Sequence, residues 1–258
     1  MNENSNPSVA MKLLREEIPG ACAARRKGME NATGNFMIFF DSDDSMIPDL
    51  IEKASNIILS DPKTDLVCWK VRIHQLDNTI KVPTVIPGNP IESHLIHTLL
   101  RPQGYMVRRD FLITTGGWNK PVEVWNDLEL GLRILLYNPK IKLINEILAE
   151  IFAQENSITG KDFSSKEGKW EKTLDEMVKV NDSLSHHDKN KIKKILNYRK
   201  AILAAHYYRE GNKKSAGKLM QQVVKGLRLK EKFYLKFAYH YTKIGLRGVW
   251  KVIRTTYV

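Results

Sequence analysis

The segment NFMIFFDSDD, residues 35–44, constrains the fold more than any other stretch of the chain. A continuous apolar run of strand length suits a strand covered on both faces, as in a parallel sheet. Three carboxylates, Asp41, Asp43 and Asp44, follow it almost at once. In open α/β sheets ligands bind beyond the carboxyl ends of the strands, so these side chains are placed to meet one. Carboxylate oxygens are hard donors that suit Mg²⁺ or Mn²⁺, and such ions bind phosphates. Acidic residues between a strand and a helix also cap the helix and favour its dipole. The cluster alone does not separate the two readings.

The surroundings set the layer type. PDLIEKASNIIL (48–59) has helical spacing in Leu50, Ile51, Ala54, Ile57 and Ile58, with Pro48 tolerated in a first turn. Residues 64–73 read as a strand, 81–90 as a loop, 105–107 as a short strand and 128–137 as a helix. Residues 141–152 read as one or two strands with a turn near Asn145. Strands alternating with helices predict an α/β sheet. From about residue 160 the pattern is helical: 169–184, then a hairpin over 190–230 that turns at Gly211-Asn212. Two regions are therefore expected, 1–160 and 161–258.

Charge divides further along, near residue 185. Residues 1–185 carry −4 and residues 186–258 carry +16, giving the net +12. An acidic front does not suit a nucleic-acid domain, and no nucleic acid is expected as a partner. A basic tail suits a polyanion or an anionic membrane. No run of about 18 apolar residues could form a spanning helix. The two cysteines, Cys22 and Cys68, are too few for a disulfide framework. The expected location is cytoplasmic, peripheral at the inner membrane face through the aromatic and basic stretch 232–258.

GACAARRKGMENATGNFMIFFDSDD (20–44) resembles the family 2 glycosyltransferases of the GT-A fold. Gly20, Ala24-Arg25, Gly28, Ala32 and Gly34 match that family's pattern in order, and Arg26 stands where it usually has Asn. MVRRDFLITTGGWN (106–119) is similar to the acceptor-side segment, through Gly116-Gly117-Trp118. WNDLELGLRI (125–134) is similar to the helix that carries the catalytic base, and 142–159 to the last strand and its exit. The resemblance implies a Rossmann-like mixed sheet followed by a helical region. It also implies an inverting, metal-dependent transfer of sugar from a nucleotide-sugar donor to a glycan or glycolipid.

By that resemblance Asp43, supported by Asp41, would hold Mn²⁺ or Mg²⁺, and Arg25, Asp41 and Asn4 would contact the nucleotide. Asp127 would be the general base, with Asp44, Gly117, Trp118 and Asn126 near the substrate. Each has a structural reading beside it. Asp127 complements a helix dipole, Trp118 packs in a core, and Gly116 and Gly117 serve a turn. Asn126 with Glu129 reads as a capping box, and His94 and His97 read as structural.

The chain also departs from the pattern. Asn126 replaces a Glu, and Phe152 and Gln154 stand where the family commonly has Arg and His. The resemblance further implies that the family's first strand–helix–strand unit, about 35–40 residues by typical element lengths, is missing ahead of Met1. A truncated product or an upstream start is the expectation. The alternative to an enzyme is an impaired remnant acting as a glycan-binding or helical adaptor module.

Overall fold

The structure is a computed structural model that describes residues 10–83, 85–86, 88–154, 162–184 and 189–258. Its centre is β3 (Leu66–His74), where Leu66, Val67, Cys68 and Trp69 are all buried. Such a strand needs partners on both edges and cover on both faces. β6 (Ile141–Phe152) pairs with it in parallel, and β5 (Tyr105–Arg108) antiparallel. β1 (Phe36–Met37) lies beyond β5, β2 (Ser45–Met46) beyond β6, and β4 (Ile80–Lys81) pairs antiparallel with the end of β3. The sheet is thus mixed, as expected of the α/β reading.

The apolar run 35–40 is corrected in one respect. Only Phe36–Met37 is strand, it pairs antiparallel with β5, and it lies at the end of the strand order. Burial, rather than ladder pairing, accounts for its apolar residues: Met37 and Phe39 enter the core.

β6 is one twelve-residue strand, with no turn at Asn145. Trp69 faces Ile144 while Lys70 faces Ile147, so Asn145 and Glu146 bulge from the ladder. Glu146 accepts from Lys53 Nζ at 2.6 Å, which ties the bulge to α2 (Leu50–Ser60). That helix begins after Asp49, so Pro48 lies outside it. Its Leu50, Ala54 and Ile58 pack on Val67, Trp69, Val71 and Leu148.

The opposite face of the sheet carries α1 (Ala21–Asn31), α3 (Pro90–His97), the short α4 (Arg109–Thr114) and α5 (Asn126–Leu136). α3 starts with Pro90 in its first turn and with Asn89 Oδ1 accepting from Glu92 N at 2.9 Å, both favourable entries. The same core continues into α6 (Lys169–Leu184), α7 (Lys189–Arg209), α8 (Lys213–Val224), α9 (Leu229–Lys243) and α10 (Val249–Tyr257). α6 packs on α5, and α7 on α3. The expected hairpin turn is present, with Gly211 at φ +88° and Asn212 capping α8. No helix of the described residues is long and apolar enough to cross a membrane.

Candidate active site

The turn after β1 brings Asp41 and Asp44 under three anchors from distant parts of the chain. Arg25 on α1 donates through Nη2 to Asp41 Oδ1 at 2.6 Å. Gln103, just before β5, donates to Asp41 Oδ2 at 2.8 Å and to Asp44 Oδ2 at 2.6 Å. The Phe152 backbone N–H donates to Asp44 Oδ1 at 3.0 Å. Burial pushes the Asp44 carboxyl above its ordinary value. The Phe152 amide opposes that shift, while Asp43 and Asp41 add to it. Asp43 is exposed and forms no ion pair among the described residues.

Arg25 also reaches the other side of the site. Its Nη1 donates to Asn126 Oδ1 at 3.4 Å, and its guanidinium lies 5.0 Å from the Trp118 ring centroid. Trp118 is buried and packs edge-on against Phe39. It therefore supports Arg25 from beneath and does not form an exposed acceptor wall. Arg26, in the unexpected position, donates to the Trp118 carbonyl at 2.8 Å and locks α1 to that segment. Gly117 has φ +59°, and a Cβ there would lie 2.3 Å from Met29 Sδ, so a turn and close helix packing account for it.

α5 begins differently from expectation. Trp125, in a left-handed conformation at φ +50°, occupies the N-cap without a side-chain bond, so there is no capping box. Asn126 faces Arg25 instead. Glu129 turns inward and forms a bidentate pair with Arg133 at 2.7 and 2.9 Å, because a buried carboxylate requires a paired charge. Asp127 is half-buried in the first turn, where the helix dipole favours an anion.

Two arginines that sequence reasoning missed lie within electrostatic reach of Asp127. Burial lowers Arg101 and brings Arg199 down to about 10, and in both the Asp127 charge acts in the opposite sense. Arg199, from α7, lies 4.7 Å over the Trp125 ring and donates to Leu95 O at 2.6 Å. The helical region thus reaches the α5 N-terminus. No local sequence signal marks Gln103, Arg101 or Arg199.

Phe152, in place of a charged residue, stacks on His74 with ring centroids 4.6 Å apart. Charge beside this exit comes from the neighbouring strand, where Arg72 pairs with Glu150 and His74 Nε2 lies 3.6 Å from the same carboxylate. His94 is structural, as expected. Its Nδ1 accepts from Leu100 N at 3.1 Å, its Nε2 meets Leu128 O at 2.9 Å, and burial lowers it to about 4. Burial also lowers His97. Asn4, and residues 155–159 of the exit, lie outside the described residues.

Among the described residues no group of three His, Cys, Asp or Glu is placed to hold a metal. The donors present are exposed Asp43 and the nearby Asp41, both hard oxygens. They suit an ion that completes its shell with phosphate and water, and do not suit one caged by protein alone. A cavity of about 570 Å³ lies elsewhere, between Phe163, Tyr198, His206 and Arg247, and none of the residues around Asp41 lines it. The convergence of charged groups, more than cavity size, marks the place where chemistry is expected.

Residues 5–115 match the model of glycosyl transferase family 2. A cholesterol galactosyltransferase of Borreliella burgdorferi is 24% identical over 170 residues, which are 58% of this chain and 46% of that protein. The match therefore spans under half the length of that curated relative. Among solved structures, S. aureus TarS 1–349 is similar with a TM-score of 0.55 and 14% identity, covering 92% of this chain and 71% of that one. The same fragment in complex with UDP is similar at 0.53 and 13%, covering 90% and 70%. These likenesses bear out the GT-A-like α/β fold with a helical C-terminal region.

Proposed function

We propose that the chain is a member of glycosyl transferase family 2, whose model its residues 5–115 match, and that it moves a sugar from a nucleotide-sugar donor to a glycan or glycolipid with inversion. The Arg25 bridge carries this reading. One guanidinium joins Asp41 of the acidic turn to Asn126, the neighbour of Asp127. Segments more than 80 residues apart in the chain thereby flank one place.

In this reading Asp127 takes the proton of the acceptor hydroxyl as it attacks the anomeric carbon. A positioned base of this kind is worth roughly 10²–10⁴-fold. Asp43, with Asp41 beside it, would hold Mn²⁺ or Mg²⁺, which when bound would supply positive charge for the departing nucleoside diphosphate. Arg25 keeps Asp41 oriented, and Gln103 fixes Asp41 and Asp44 together. The UDP complex of the S. aureus neighbour makes a uridine nucleotide the first donor to test. The basic tail is the side that faces an anionic membrane.

Donor hydrolysis and sugar transfer with Mn²⁺, on wild type, Asp127→Asn and Asp43→Asn, test the proposal. Asp127→Asn is expected to lose at least 100-fold in kcat with nucleotide affinity retained, and Asp43→Asn to lose metal-dependent nucleotide binding. Absence of both turnover and nucleotide binding in the wild type would instead support the remnant reading.

A further inference from the structure

α9 has two apolar faces, and only one is used by the fold. Leu235, Ala238 and Thr242 are buried on the inner side, where the helix packs on α7 and α10. On the outer side Leu229 is 85% exposed, Phe233 65% and Phe237 38%; just past the helix end Ile244 is 72% and Leu246 47% exposed. Positions 229, 233 and 237 recur every four residues and line one stripe of the helix. Scattered exposed apolar residues are ordinary, but a contiguous stripe marks a contact surface.

The charges around the stripe say what it contacts. From Lys225 to Lys251 the chain has eight Lys and Arg and a single acidic residue, Glu231. Glu231 is already engaged, by the Arg228 amide at 3.2 Å and by Lys194 at 3.7 Å. Lys230, Lys232, Lys236, Arg247 and Lys251 form no ion pair among the described residues. A second copy of this face would set like charges against each other. A convex helix with protruding phenylalanines and unpaired cations fits an interface of acyl chains below anionic headgroups.

We propose that the outer face of α9 is an insertion surface for an anionic lipid bilayer, with Leu229, Phe233 and Phe237 entering the acyl boundary and the flanking lysines resting on headgroups. This rests on the reading of the basic tail as membrane-facing and names the side chains that enter.

The test uses the full chain with phosphatidylcholine vesicles and with vesicles containing 30% phosphatidylglycerol. Wild type is expected to sediment with the anionic vesicles at least tenfold more strongly than with the neutral ones. Phe233→Glu/Phe237→Glu is expected to lose at least tenfold of that binding with its circular dichroism unchanged. Phe237→Trp is expected to shift its emission to the blue on the same vesicles. Full binding by the double variant would overturn this face while leaving the tail reading intact; absence of binding by wild type would overturn both. Equal binding to neutral vesicles, or a wild-type dimer that the double variant dissociates, would also overturn the proposal. Donor hydrolysis measured in solution alongside reports on the catalytic reading separately.

Discussion

Gly131→Ala offers a sharp test of how the site is held. Gly131 lies in α5, and a Cβ there would sit 2.2 Å from His94 Cε1 and 2.3 Å from its Nε2. The ring cannot swing away without loss, because both nitrogens are committed, to Leu128 O and to Leu100 N. Overpacking a dense core costs about 1–3 kcal/mol, and a buried polar group left unpaired costs about 1–3 kcal/mol more. Alanine offsets about 1 kcal/mol through its better helix propensity. The net loss is about 3 kcal/mol, which for a chain of this size lowers the melting temperature by about 6–12 °C. Gly217→Ala in α8 is the control: no atom lies within 4 Å of its Cβ position, and a small gain in stability is expected. Thermal unfolding followed by circular dichroism reads both. Leu128 adjoins Asp127, so under the proposed function any turnover of the folded Gly131→Ala protein should fall as well. A Gly131→Ala protein as stable as the Gly217→Ala control would refute the wedge.

Four other outcomes follow from the same coordinates. Burial holds folded His94 at about 4, whereas the unfolded ring takes its proton near 6.5. The unfolded chain therefore binds more protons between those values. This contribution to stability is intact above about pH 6.5 and is lost as pH falls toward 4, by about 3 kcal/mol in all; urea midpoints at pH 7, 6 and 5 should decline, and a flat series would contradict it. Glu92 is buried and bound by Arg254 at 2.5 Å and by Trp250 Nε1 at 3.1 Å. Glu92→Ala should cost about 3 kcal/mol and strip α10 of hydrogen-exchange protection, while unaltered protection would contradict the anchor. Arg199→Met should lower kcat about tenfold with donor KM little changed, and Arg199→Lys should recover part of it; an effect confined to KM would contradict a positioning role. Gln103→Leu leaves Asp41 and Asp44 without their shared donor, and donor affinity should fall several-fold in calorimetry.

Much of the scaffold was legible from periodicity. The strands β3 and β6, the helices α2 and α5, and the hairpin turning at Gly211 follow from apolar spacing and turn residues, which are local properties. The short β1 was misread because an apolar run reports burial and says nothing of ladder pairing. The capping box at Asn126 was misread because a long-range partner, Arg25, took the side chain that local geometry would have used. Within the site, the acidic turn and Asp127 were legible as residue types in order. Gln103, Arg101 and Arg199 were not, since each acts across 26 to 72 residues of sequence from the carboxylate it serves. Phe152 was legible as a departure, but its stacking on His74, and the charges that β3 brings beside it, emerge only from strand pairing.

The buried seam between α3 and the last helices has a consequence for how this protein can be divided. Glu92 and the Leu95 carbonyl belong to the sheet-bearing part, yet their partners Trp250, Arg254 and Arg199 come from the helical part. Cutting the chain near residue 160 would part the Glu92 carboxylate from Trp250 and Arg254 and bare one side of α3. The helical segment is thus no exchangeable cassette, and a graft onto another protein would have to carry α3 with it.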